Sequence, residues 1–76
     1  MFRAYVMIKT KTGEARSVKN AVQALSGVRE AHLVTGMFDV VALIEMRDTK
    51  MLGELIAVQI PNISGVETTT TCIILE

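Results

Sequence analysis

The chain has no tryptophan, one tyrosine, two phenylalanines, one proline, one histidine and one cysteine among 76 residues. Each scarcity removes a class of function. A single cysteine allows no internal disulfide. With His32 as the only histidine, no zinc-type Cys/His cluster can be assembled, and neither a metal nor another cofactor is expected. Eight basic residues balance eight acidic ones. With no basic patch and few aromatics, direct nucleic-acid binding is not expected. No apolar run reaches the roughly 18 residues of a membrane span. The N-terminus opens on strand-like alternation, not on a basic region followed by an apolar one. No signal peptide is therefore read, and a soluble cytoplasmic protein is expected.

What the chain does have is apolar surface: half of its residues are hydrophobic. Its length makes residues 1–76 one domain. A chain this short buries only about 60% of its unfolded surface, so a lone monomer is marginal. The expected remedy is oligomerisation.

The pattern of that apolar surface gives the elements. Phe2 to Lys9 alternates, with Phe2, Ala4, Val6 and Ile8 on one face and Arg3, Tyr5, Met7 and Lys9 on the other. That period of two predicts a strand. After the polar turn Thr10 to Gly13, Glu14 to Leu25 follows helical spacing through Ala15, Val18, Val22 and Leu25. Gly27 is its candidate C-cap. Val28 to Val34 reads as a second strand and Asp39 to Met46 as a third, the latter rich in Val, Ile and Leu. Asp48 or Thr49 can cap a second helix. That helix carries Met51, Leu52, Leu55 and Ile56 and must end by Pro61. Val66 to Leu75 closes the chain as a Thr- and Ile-rich strand.

The two halves repeat. Ser26-Gly27-Val28 recurs as Ser64-Gly65-Val66, an offset of 38. The same offset lays Val18 on Ile56 and Val22 on Ile60. Two βαβ units in one short chain predict an α+β fold, the ferredoxin-like βαββαβ sandwich. Its four-stranded antiparallel sheet carries two helices on one face, with the first and third strands in the middle. The uncovered face then presents Tyr5, Met7, Val41 and Leu43. A contiguous apolar patch of that kind marks an interface, so these four residues are expected to form a dimer contact.

Within this frame, Val34-Thr35-Gly36-Met37-Phe38-Asp39-Val40-Val41-Ala42 resembles the turn between strands two and three in the effector-binding domain of the Lrp/AsnC family. The closing stretch Ile63-Ser64-Gly65-Val66, the threonines Thr68 to Thr71 and then Ile73-Ile74-Leu75 resembles that domain's last strand. The resemblance covers essentially the whole chain. It implies a stand-alone effector-binding, or RAM, domain without the DNA-binding helix-turn-helix. It further implies a small-molecule effector, an amino acid, and a role linked to transcriptional regulation of amino-acid metabolism. The family's dimers join through their sheets and assemble into octamers or similar rings, so a homo-oligomer is implied here. Full-length Lrp/AsnC regulators are implied as further partners. Carried over, Thr35, Gly36, Met37, Phe38 and Asp39 form the effector loop. Thr69, Thr70 and Thr71 contribute from the same or a neighbouring subunit.

The chemistry suits an amino acid. Asp39 can accept from an ammonium group. Turn N–H groups and Thr hydroxyls can donate to a carboxylate. Met37 and Phe38 can grade the side chain. Plainer readings stand beside these. Gly36 and Asp39 are ordinary turn residues, the threonines suit any edge strand, and Met37 and Phe38 also suit an interface. His32 has no partner named by the sequence, and Cys72 reads as a buried small hydrophobe. No enzyme is expected. The open alternatives are a small dimeric α/β-barrel-type enzyme and a purely structural oligomer.

Overall fold

A computed structural model describes residues 1–76. The order is β1 (Phe2–Thr10), α1 (Ala15–Gln23), β2 (Val28–Leu33), β3 (Val40–Met46), α2 (Thr49–Glu54) and β4 (Val66–Ile73). A π-helical turn, Leu55–Gln59, continues α2. The strands form one antiparallel sheet in the order β2-β3-β1-β4. This is the ferredoxin-like sandwich, with β1 and β3 central as the pattern required.

The core follows from alternation. Ala4, Val6 and Ile8 of β1 and Val40, Ala42 and Ile44 of β3 are fully buried beneath the helices. Val18 and Val22 of α1 and Leu52, Leu55 and Ile60 of the second helical segment close over them. Asp48 caps α2 by accepting from the Lys50 N–H at 2.8 Å, as its residue type predicts.

The π-helical turn resolves a conflict in the sequence. In a regular α-helix, Gln59 lies two turns beyond Leu52 and faces the core. The Ile60 N–H instead donates to Leu55 O, five residues back, at 3.0 Å. That extra residue rotates Ile60 into the core and Gln59 out of it. Leu55 is fully buried and Ile56 only half-buried. Ile56 is thus an imperfect counterpart of Val18 in the repeat.

Elsewhere the repeat holds at the level of hydrogen bonds. The Leu25 N–H donates to Val22 O and the Val28 N–H to Leu25 O. Thirty-eight residues on, the Ile63 N–H donates to Ile60 O and the Val66 N–H to Ile63 O. Both halves then turn on a glycine, Gly27 at φ 95° and Gly65 at φ 96°. Gly27 is therefore not the C-cap of α1. Ala24 ends that helix in right-handed conformation, and Gly27 makes the later turn into β2.

Two strand ends differ from the pattern. β1 runs one residue past Lys9, because Thr10 keeps the inward parity and is buried. β4 stops at Ile73, opposite Ala4 near the start of β1, and Leu75 is 93% exposed.

Thr10 has a purpose in that position. Its N–H donates to Asp39 Oδ2 at 2.8 Å and its hydroxyl to the same oxygen at 3.2 Å. The Asp39 N–H in turn donates to Ile8 O at 2.9 Å, and Val34 N–H to Asp39 O at 2.9 Å. The start of β3 is thereby tied to the end of β1. The backbone hydrogen bond from Thr10 holds the Asp39 carboxyl below its ordinary value of 3.8, helped by the Thr10 hydroxyl and by Lys9 and opposed by partial desolvation.

Two outcomes are expected. Gly65→Ala adds a methyl at positive φ, 3.0 Å from Val18 Cγ2, whereas Gly13→Ala adds one at φ 82° into open space. Backbone strain alone costs about 1–3 kcal/mol, so the Gly65 variant should lower the urea midpoint more than the Gly13 variant at unchanged slope. Equal midpoints would remove the Val18 contact from the account. For Asp39, the unfolded chain takes up its proton first as pH falls, so the clamp's stabilisation is full above about pH 4 and is lost through the lower folded value. Urea midpoints measured against pH should fall less steeply on that acid limb in Asp39→Asn than in the parent.

Candidate functional site

The loop between β2 and β3 spans 34–39. Its geometry follows from its two anchors, Val34 paired to Asp39 at the neck and Asp39 clamped by Thr10. Between them the chain bends at Gly36, at φ 127°, with nothing within 4 Å of where a Cβ would stand. The backbone N–H groups of Thr35, Gly36, Met37 and Phe38 make no hydrogen bond within the chain. Met37 is 82% exposed, and Phe38 is half-buried beside it. Four consecutive donors, an apolar side chain projecting outward and a nearby carboxylate therefore share one loop.

The carboxylate is less available than its position in the sequence suggests. Oδ2 of Asp39 is taken up by Thr10, which leaves Oδ1 as the open acceptor. Asp39 thus ties the neck of the loop to the end of β1. Thr10 was absent from the sequence-based candidates. The signal for it was present, because extending the alternation of β1 by one residue puts Thr10 inward.

The threonines of β4 do not share one face. Thr69 and Thr71 pair with Ile8 and Val6 and share their helix-side face. Thr70 pairs with Met7 on the opposite face. β1 lies between β4 and β3, so β4 runs about 10 Å from β3 at ordinary strand spacing. Within one protomer the threonines and the loop do not meet.

The open face carries what alternation predicted, and more. Cross-strand pairs form the rows Glu30–Leu43–Tyr5–Cys72 and His32–Val41–Met7–Thr70. Tyr5 is 46% exposed, and Met7, Val41 and Leu43 are half-buried against one another. Cys72 is exposed here, a correction to its reading as a buried hydrophobe, because β4 is an edge strand with no helix over this face. His32 does have a partner: its Nε2 lies 2.9 Å from Glu30 Oε1. Two residues apart on one strand, they share a face. Both side chains are more than half exposed, so the contact is an ordinary surface pair. Arg29 and Glu45 form a second, at 2.9 Å.

Neither concavity of the protomer involves the loop. One cleft, of about 180 Å³, is lined by Ser26, Met46, Met51, Glu54 and Gln59. A shallower one, of about 250 Å³, lies over Gly27, Val28, Arg29 and Glu45. Both sit at the C-terminal end of β3, and the loop sits at its N-terminal end. No group of three or more His, Cys, Asp or Glu side chains is placed to hold a metal. No helix is long and apolar enough to cross a membrane.

Comparison with known proteins agrees with this architecture. The family model for the Lrp/AsnC ligand binding domain matches residues 3–76. No curated protein matches the chain. Among solved structures, TTHA0845 from Thermus thermophilus is 30% identical with a TM-score of 0.93, covering 100% of this chain and 95% of that one. The hypothetical protein PHS023 from Pyrococcus horikoshii is 31% identical with a TM-score of 0.90, covering 100% and 93%. The transcriptional regulator NMB0573 of Neisseria meningitidis, solved in complex with L-methionine, has the same fold at 16% identity and a TM-score of 0.84. The match covers 99% of this chain and 50% of that regulator, so the chain spans about half of its length. With a family model matched over 74 of its 76 positions and whole-length relatives at 30% and 31% identity, the chain belongs to the Lrp/AsnC ligand-binding domain family.

Proposed function

We propose that the chain is an amino-acid-responsive binding and oligomerisation module linked to transcriptional regulation of amino-acid metabolism. The observation that carries this reading is the row of four partnerless N–H groups, Thr35 to Phe38, beside the clamped carboxylate of Asp39. The N–H groups suit a ligand carboxylate, and Asp39 Oδ1 suits its ammonium. Met37 and Phe38 face the ligand side chain. The family itself supports an effector at this domain. The L-methionine bound by NMB0573 supports an amino acid as its class.

The loop lines neither cleft of the single chain, so a second copy completes the site, with Thr69 and Thr71 reaching the effector from one face of that copy's β4 or Thr70 from the other. Copies pair through the open face, with Tyr5, Met7, Val41 and Leu43 at the centre of the contact. A stable interface takes about 800 Å² from each partner. The broad face of a particle measuring 34 × 22 × 17 Å offers about 750 Å² in projection. Dimers built this way leave the loops at their rims, where octamers or other rings bring neighbouring loops together. Full-length Lrp/AsnC regulators present the same kind of sheet and are partners on the same argument.

A thermal-shift panel of the twenty amino acids, with native mass recorded for each, tests the reading. A ligand at about 100 times its dissociation constant adds about 2.7 kcal/mol, an easily measured rise. One chemical class of amino acid should raise the midpoint selectively, and Asp39→Ala should abolish that rise without changing the mass of the assembly. An unchanged rise in the variant would remove Asp39 from the site. A panel with no rise at all would leave a structural oligomer as the better account.

A further inference from the structure

The cleft at the far end of β3 is independent of the effector loop and has its own chemistry. Its walls are the turn after α1 (Ser26), the end of β3 (Met46) and the second helical segment (Met51, Glu54, Gln59). The π-helical turn is what brings Glu54 and Gln59 together. In a regular α-helix, side chains five positions apart diverge by about 140°. The inserted residue reduces that divergence, so the carboxylate and the amide reach one cleft. π-helical turns of this kind concentrate at functional sites.

Three polar residues line it, Ser26, Glu54 and Gln59, all exposed, and none of their side chains has a hydrogen-bond partner within the chain. Glu54 is the only formal charge among the lining residues. The apolar part is supplied by two thioethers, which adapt to varied shapes. Met46 itself lies flat against Gly27, where an added Cβ would stand 2.5 Å from its Cε. The absence of a side chain at Gly27 thus leaves room for Met46 where it lines the cleft.

We propose that this cleft is a second ligand site, selective for a small primary ammonium with a short apolar tail. The carboxylate, the amide oxygen and the hydroxyl oxygen accept from the three ammonium N–H groups, and Met46 and Met51 cover the tail. The size agrees. The cleft's volume, about 180 Å³, is ample for a small alkylammonium. The lone carboxylate repels anions, so the site discriminates by charge.

The test is an NMR titration of the protein with n-butylammonium chloride, with sodium butyrate and n-butanol as controls. Saturable shifts are expected at the Met46 and Met51 methyls and the Gln59 side-chain amide, with Thr35 to Phe38 unaffected. Glu54→Gln keeps the shape, removes the charge and lies on an exposed position, and should weaken binding about tenfold. Equal binding of butyrate, unchanged affinity in Glu54→Gln, no saturable shifts, or shifts confined to the β2–β3 loop would each overturn the proposal. Because the readout is local, its failure is distinct from a failure of amino-acid binding at the loop.

Discussion

Two helices can cover only one face of a four-stranded sheet, and the two central strands of this sheet carry apolar residues on both. That mismatch governs the molecule. On the covered face it produces a core in which six residues of β1 and β3 are fully buried. On the other face it leaves Tyr5, Met7, Val41 and Leu43 side by side with nothing above them. A chain of this length has little stability to spare, so the uncovered face is where more can be gained. At roughly 25 cal/mol per Å² of apolar surface buried, a second copy adds several kcal/mol before the entropy of association is subtracted.

The same arrangement explains why the loop between β2 and β3 needs an anchor. It leaves the sheet between an edge strand and a central one, and only Asp39 ties it down. By giving Oδ2 to Thr10 and its own N–H to Ile8 O, Asp39 fixes the neck and leaves the tip, Thr35 to Phe38, without internal partners. A rigid neck with an unsatisfied tip is a sound arrangement for binding, because little order is lost when a ligand supplies the missing partners. The opposite end of β3 solves a different problem. There the π-helical turn keeps Gln59 out of the core and places it among the residues lining the cleft.

The fold was legible in the sequence because its signals were periodic. Alternation gave β1 and β3, the 38-residue repeat gave the βαβ pairing, and the doubled Ser-Gly-Val gave turns that proved to share hydrogen bonds as well as residues. The open-face positions of Tyr5, Met7, Val41 and Leu43 were legible for the same reason, since parity alone assigns a face. What was not legible depended on the third dimension. The Thr10–Asp39 clamp joins residues 29 apart. Which of the two faces takes Thr70 and which takes Thr69 and Thr71 needed the register of β4 against β1. The pairing of His32 with Glu30 needed both to be placed on the open face. The π-helical turn had a trace, a glutamine where the core period wants an apolar residue, but a trace that a surface break in the helix would also leave.

The central claim is that the open sheet face is covered by another copy of the chain. Sedimentation analysis of the unmodified protein and of Leu43→Asp at micromolar concentration tests it most directly. The parent should sediment as a dimer or an even-numbered assembly of its 8.3 kDa chain. The variant, which would bury an unpaired charge at the centre of that face, should fall to the single chain. A parent that is monomeric, or a variant whose mass equals the parent's, would contradict the account.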